Sequence, residues 1–283
     1  MTRPEGRPGT WWRGCSAGLK LGLAIIAIIL MAALGALIRP DMFPRLTLIG
    51  GGGGGVPSFP FNTANGAPMP KPPMTDDQLD AELAKLNPPR KYYQNHQRTR
   101  GANDDMLHAP QGLHNFFRGY YFYKSADYKG NNPHPLKART AQEMEQIPHY
   151  YVMLKDKTMA ATAAEQMPSA EYIANCKWLT EAEVEVYATE YARTGFTGAL
   201  QGYRVRRGTD PISLAEMRTF SGRSIDVPSQ FIAGKSDWGV YQRAGSLDGM
   251  KRACTKFEGV ELVDGAGHWV QQENAAHVAG RLV

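Results

Sequence analysis

Between Thr75 and Thr219 the chain reads as helix, and short strand-like runs flank that stretch on both sides. This arrangement constrains the fold most, because it sets a helical insert of about 145 residues between strands of one α/β core. Thr75 with Gln78, Thr140 with Glu143 and Thr180 with Glu183 fit the capping box that satisfies exposed N–H groups at a helix start. Leu79, Leu83 and Leu86 make one apolar face; Val184, Tyr187, Ala188, Tyr191 and Ala192 make another, with Gly195 placed as a C-terminal cap. Prolines from Pro88 to Pro168 punctuate the helices. Before the insert, RLTLI (Arg45–Ile49) reads as a buried strand. The six glycines Gly50–Gly55 that follow read as loop, since glycine loses the most backbone entropy on ordering. No Lys-Ser/Thr pair follows them, which argues against a phosphate cradle. Residues 56–74, rich in Pro, Gly and Asn, read as an extended excursion.

After the insert, SQFIAG predicts a buried strand ending at Gly234, and Val260–Val263 a second one ending in DGAGHW. Glu273–Leu282 predicts a helix packed back on the sheet. The boundaries expected are therefore an apolar N-terminal helix over 1–38, a core strand and loop over 39–74, a helical cap over 75–219, and a C-terminal core over 220–283.

The N-terminal segment leaves two readings open. Arg3, Arg7, Arg13 and Lys20 precede the uncharged run Leu21–Ile38, whose length approaches a membrane span with a basic flank. A helix buried in protein is equally apolar all round. The expected location is cytoplasmic, or membrane-anchored through residues 21–38. The net charge of +5 is scattered, which argues against a nucleic-acid surface. Cys15, Cys176 and Cys254 are distant and odd in number, which excludes a disulfide framework. The histidines, His108 and His114 included, show no metal-ligand spacing, so neither a metal nor another cofactor is expected. The oligomeric state is not legible.

Asp237 and His268 each follow a predicted strand, and open α/β sheets place their sites outside strand C-termini. A carboxylate accepting from one imidazole nitrogen leaves the other free to take a proton. The glycines of GAGHW let the histidine project from a tight turn.

The segments IDVPSQFIAGKSDWGVYQ, GVELVDGAGHWVQQENAAHV and TGFTGALQGYR resemble the C-terminal and cap motifs of the epoxide hydrolase branch of the α/β-hydrolases, as does ALIRPDMFPRLTLI. The resemblance covers roughly residues 35–283. It implies a partial α/β-hydrolase core with a large helical cap, acting on a small apolar epoxide. It also implies an acid at Asp237, a base at His268, and two cap tyrosines that hydrogen-bond the epoxide oxygen. G-x-L-x-x-Y-R puts one on Tyr203, and the Y-Q pair puts the other on Tyr93, with Tyr92 adjacent.

The family's upstream half does not match. Its nucleophilic Asp should fall near Ile26, yet no Asp or Glu lies between Glu5 and Asp41. Gly14-Cys15-Ser16-Ala17-Gly18 fits a G-x-S-x-G elbow and makes Ser16 the alternative nucleophile, although RPGTWWR precedes it where a buried strand should. The N-terminal block thus reads as divergent, truncated or misframed. The expectations are an epoxide hydrolase impaired by its missing nucleophile, or a non-catalytic fragment or membrane-anchored binding module. Dehalogenase chemistry on the same core is disfavoured by Tyr93 and Tyr203.

Overall fold

A computed structural model describes residues 35–50, 74–206, 220, 222–242 and 246–282. Ser16, the Ile26 position, most of the apolar run 21–38, Gly51–Gly55 and residues 56–73 lie outside these. Among the described residues no helix is long and apolar enough to cross a membrane.

Three parallel strands form the core sheet in the order β1 (Leu46–Ile49), β4 (Ile225–Gly234), β5 (Cys254–Val263). Leu48 pairs with Phe231, and Phe231 with Val260. Successive side chains point to opposite faces of a strand. Leu46, Leu48, Phe231 and Ala233 therefore join Ala36, Leu37 and Met250 on one face, while Ile49 and Ile232 meet Val263, Val270 and Val278 on the other. Burial on both faces is why FIAG carries no polar alternation. Pro228 cannot donate to a ladder, and it sits beside the shifts of register between β4 and β5. Helices α10 (Ser246–Ala253), α11 (Val270–Glu273) and α12 (Ala275–Leu282) complete this part.

The insert between β1 and β4 holds α1 (Asp76–Leu83), β2 (Arg90–Tyr92), α2 (Tyr93–Gln97), α3 (Gly101–Leu107), α4 (Gly112–Lys124), α5 (Ala141–Met144), β3 (Val152–Leu154), α6 (Met159–Ala164), α7 (Ala170–Asn175), α8 (Glu181–Thr194) and α9 (Thr197–Arg206). Thr75 and Thr180 form reciprocal capping boxes with Gln78 and Glu183, whereas Thr140 caps from its side chain, accepting from Glu143 N. Gly195 ends α8 at φ 64°, in the left-handed region that glycine enters without strain.

The insert is not all helix. β2 and β3 pair antiparallel, Arg90 with Leu154 and Tyr92 with Val152. Runs of three residues are too short to show a period of two, so the sequence did not reveal them. The ribbon sets Tyr93 beside Tyr151, whose carbonyl accepts from Tyr93 N at 2.9 Å. The cap core is largely aromatic: Phe116, Phe117 and Tyr121 of α4 pack with Tyr187 and Phe196, and Tyr92, Tyr150 and Tyr151 belong to the same cluster.

Candidate active site

Asp237 lies just beyond β4 and is 1% exposed. Its Oδ1 accepts from Gly239 N at 2.6 Å, which starts a single 3₁₀ turn over Trp238–Val240 and fixes the carboxylate's orientation. The remaining oxygen, Oδ2, lies 3.0 Å from His268 Nδ1. With Nδ1–H donating to Asp237, the lone pair of the imidazole is on Nε2.

The turn that presents His268 depends on two glycines. Gly265 adopts φ 71°, which side-chain-bearing residues rarely take. At Gly267 a Cβ would meet Ala126 N at 2.6 Å and Lys124 O at 2.7 Å, so only glycine lets this loop lie against the end of α4. That contact carries hydrogen bonds: His268 N donates to Lys124 O at 3.0 Å, and Glu273 accepts from Ala126 N, Gly267 N and Trp269 N at 2.8–3.0 Å. Burial outweighs these three donors and pushes the Glu273 carboxyl up to about 7. Trp269 stacks on Tyr121 at 4.1 Å and donates from Nε1 to Tyr121 O.

The cap brings tyrosines to this edge of the sheet. Tyr151 places its hydroxyl 3.3 Å from His268 Nδ1. Tyr93 packs its ring 4.8 Å from Tyr151 and 5.9 Å from Tyr203, so the two tyrosines singled out in the sequence are neighbours of each other and, through Tyr151, of the histidine. Gln94 donates to the Tyr93 hydroxyl at 2.8 Å, and burial raises the Tyr93 pKa. Tyr92 packs edge-on against Tyr93 at 5.2 Å and donates to Gln242 at 3.0 Å, with Arg139 over its ring.

Two groups near His268 were not anticipated. One is Tyr151, whose only sequence signal is the doublet Tyr150-Tyr151. The other is Lys124, buried at the end of α4. Burial lowers the pKa of His268, the Lys124 ammonium lowers it further, and Asp237 opposes both. A recess of about 240 Å³ lined by Arg45, Gln230, Glu258 and Arg281 contains none of these residues.

A parallel sheet carrying an acid and a histidine beyond its strand ends, under a helical cap, is the architecture of the C-terminal core and cap of an α/β-hydrolase. Among solved structures the chain is similar to an epoxide hydrolase from an endophytic Streptomyces, with a TM-score of 0.60 and 23% identity over 89% of this chain and 63% of that one. It is also similar to potato (Solanum tuberosum) epoxide hydrolase I, at 0.59 and 23% over 90% and 65%. In sequence it is 37% identical over 111 residues to epoxide hydrolase A of Mycobacterium tuberculosis H37Rv, covering 38% of this chain and 31% of that protein. Epoxide hydrolase 2 of Siraitia grosvenorii is 34% identical over 110 residues, 37% and 33% of the two lengths. The chain thus shares the fold of these epoxide hydrolases over core and cap, and the sequence matches span about a third of the curated relatives' length. No family model matches it.

Proposed function

We propose that the site performs the water-activating and oxygen-polarising parts of epoxide hydrolysis on a small apolar substrate. The observation that supports this is the 3.0 Å contact between Asp237 Oδ2 and His268 Nδ1, which leaves Nε2 to act as base. In this reading Nε2 takes a proton from water as the water oxygen bonds to one epoxide carbon, that carbon's bond to the ring oxygen breaks, the released alkoxide takes a proton from a cap tyrosine, and Asp237 stabilises the imidazolium. Tyr93 and Tyr203 donate to the epoxide oxygen. The ring packing of Tyr93 against Tyr203 favours it over Tyr92. Residues 75–219 act as the cap over the C-terminal core of 220–283, and fractionation of the expressed chain tests whether the apolar run 21–38, most of which lies outside the described residues, anchors it to a membrane.

A second reading, a non-catalytic chain that keeps the fold, is favoured by the absence of Asp and Glu between Glu5 and Asp41. Without that carboxylate the covalent ester route is closed, and Ser16 is the one alternative nucleophile. The full chain is therefore expected to hydrolyse a small apolar epoxide only at trace rates, and H268Q to abolish the trace. Equal rates with and without His268 would overturn the first reading. Turnover at about 1–10³ per second would show that a nucleophile exists. No turnover at all would leave the non-catalytic reading.

A further inference from the structure

Lys124 closes α4 inside the protein, 3% exposed. Its Nζ lies 4.7 Å from the ring centre of Tyr151, 4.9 Å from Tyr120, 5.3 Å from Trp269 and 5.6 Å from Tyr150. The Tyr120 hydroxyl, 3.3 Å away, is its hydrogen-bond partner among the described residues. None of the ion pairs among those residues includes it. Aromatic faces stabilise a buried cation without neutralising it. The charge therefore acts on its surroundings, and His268 is bonded to this residue's own carbonyl.

An Asp beside a half-buried imidazole, taken alone, favours the imidazolium. Such a pair would be a salt bridge whose histidine already carries the proton it is meant to accept. The groups that face His268 are Asp237 from the loop after β4, Tyr151 from the turn just before β3, Trp269 from its own loop, and Lys124 from α4. Lys124 is the cation in that set.

We propose that Lys124 is a positioning residue of the Asp237–His268 pair: its ammonium, fixed in the aromatic box, opposes protonation of His268 and keeps the imidazole a proton acceptor. Burial lowers the pKa of Lys124 itself to about 8, against the pull of Tyr93 and Asp237, so the amine is still mostly charged at neutral pH. The inference rests on reading His268 as the base of the site, but its test follows protonation rather than turnover.

The full chain is labelled at the histidine ring carbons, and the His268 signal, assigned by its loss in H268Q, is titrated by NMR. K124M removes the charge while retaining an unbranched apolar stem, and K124R retains the charge. K124M should raise the proton affinity of His268 about tenfold, and K124R should leave it close to that of the unmodified chain. A K124M midpoint that stays in place or falls would overturn the proposal.

The unmodified chain gives a second measurement that needs no variant to fold. Lysine labelled at Cε should show Lys124 titrating above His268. A Lys124 midpoint below that of His268 would also overturn the proposal, because the amine would be neutral while the imidazole titrates. Absence of epoxide turnover in every sample would count against the proposed function and leave the protonation result standing.

Discussion

The cap closes on aromatic rings and the core sheet closes on aliphatic side chains. The difference follows from how each is held together. Five cap helices, α1, α5, α6, α7 and α8, are started by their own threonines and serine, Thr75, Thr140, Thr158, Ser169 and Thr180, each accepting from a backbone N–H three residues on. The sheet joins Leu46 to Ser229 across the whole insert, so its pairing depends on closing a long loop. The cap is specified locally, whereas the sheet is specified by contacts distant in sequence. The candidate site lies on the seam, with its acid and histidine from the sheet side and the rings and ammonium around them from the cap.

The largest expected effect comes from breaking that seam. W269A removes the ring stacked on Tyr121 and the indole donor to the Tyr121 carbonyl. It should destabilise the protein by about 3–5 kcal/mol in urea unfolding, with faster amide exchange in both cap and sheet. Faster exchange in one part alone would mean that the two are not coupled through Trp269. I232A, in the smaller aliphatic layer of the sheet, should cost about 2–4 kcal/mol and accelerate exchange in β1, β4 and β5 before the cap.

Glu273 gives an intermediate effect with a defined pH window. Its carboxyl is held at about 7 in the folded chain, above its ordinary value of 4.5. The folded state therefore binds more protons between these values, and stability should fall as pH rises from about 4.5 to about 7, on the order of 3 kcal/mol. E273Q should flatten that slope; an unchanged slope would assign it to another group. The smallest effect belongs to R45A. Arg45 and Glu258 form an exposed ion pair on the sheet side, and its loss should move stability by no more than about 0.5 kcal/mol.

Much of the fold was legible because it is written in local patterns. FIAG showed a strand buried on both faces, and the Thr75 and Thr180 boxes marked the helix starts. Asp237 and His268 were legible as a single acid and a single histidine beyond strand ends, one of them flanked by glycine. The β2–β3 ribbon was not legible, since three-residue strands have no period to detect. Tyr151 reaches His268 across 117 residues of chain, and nothing in PHYYVML encodes that meeting. Lys124 was hidden differently. A lysine in the last turn of a helix reads as a complement to the helix dipole, and only the packing of α4 against the histidine loop shows that it is buried.

The stitching of that loop to the end of α4 also fixes how the cap can move. His268 N, Ala126 N and the Glu273 carboxylate pin the cap to the core along one edge. The cap is also tied to the core where Tyr92 donates to Gln242 and the His134 ring meets Trp238. Held at both places, it cannot swing about either edge alone without breaking the contacts of the other.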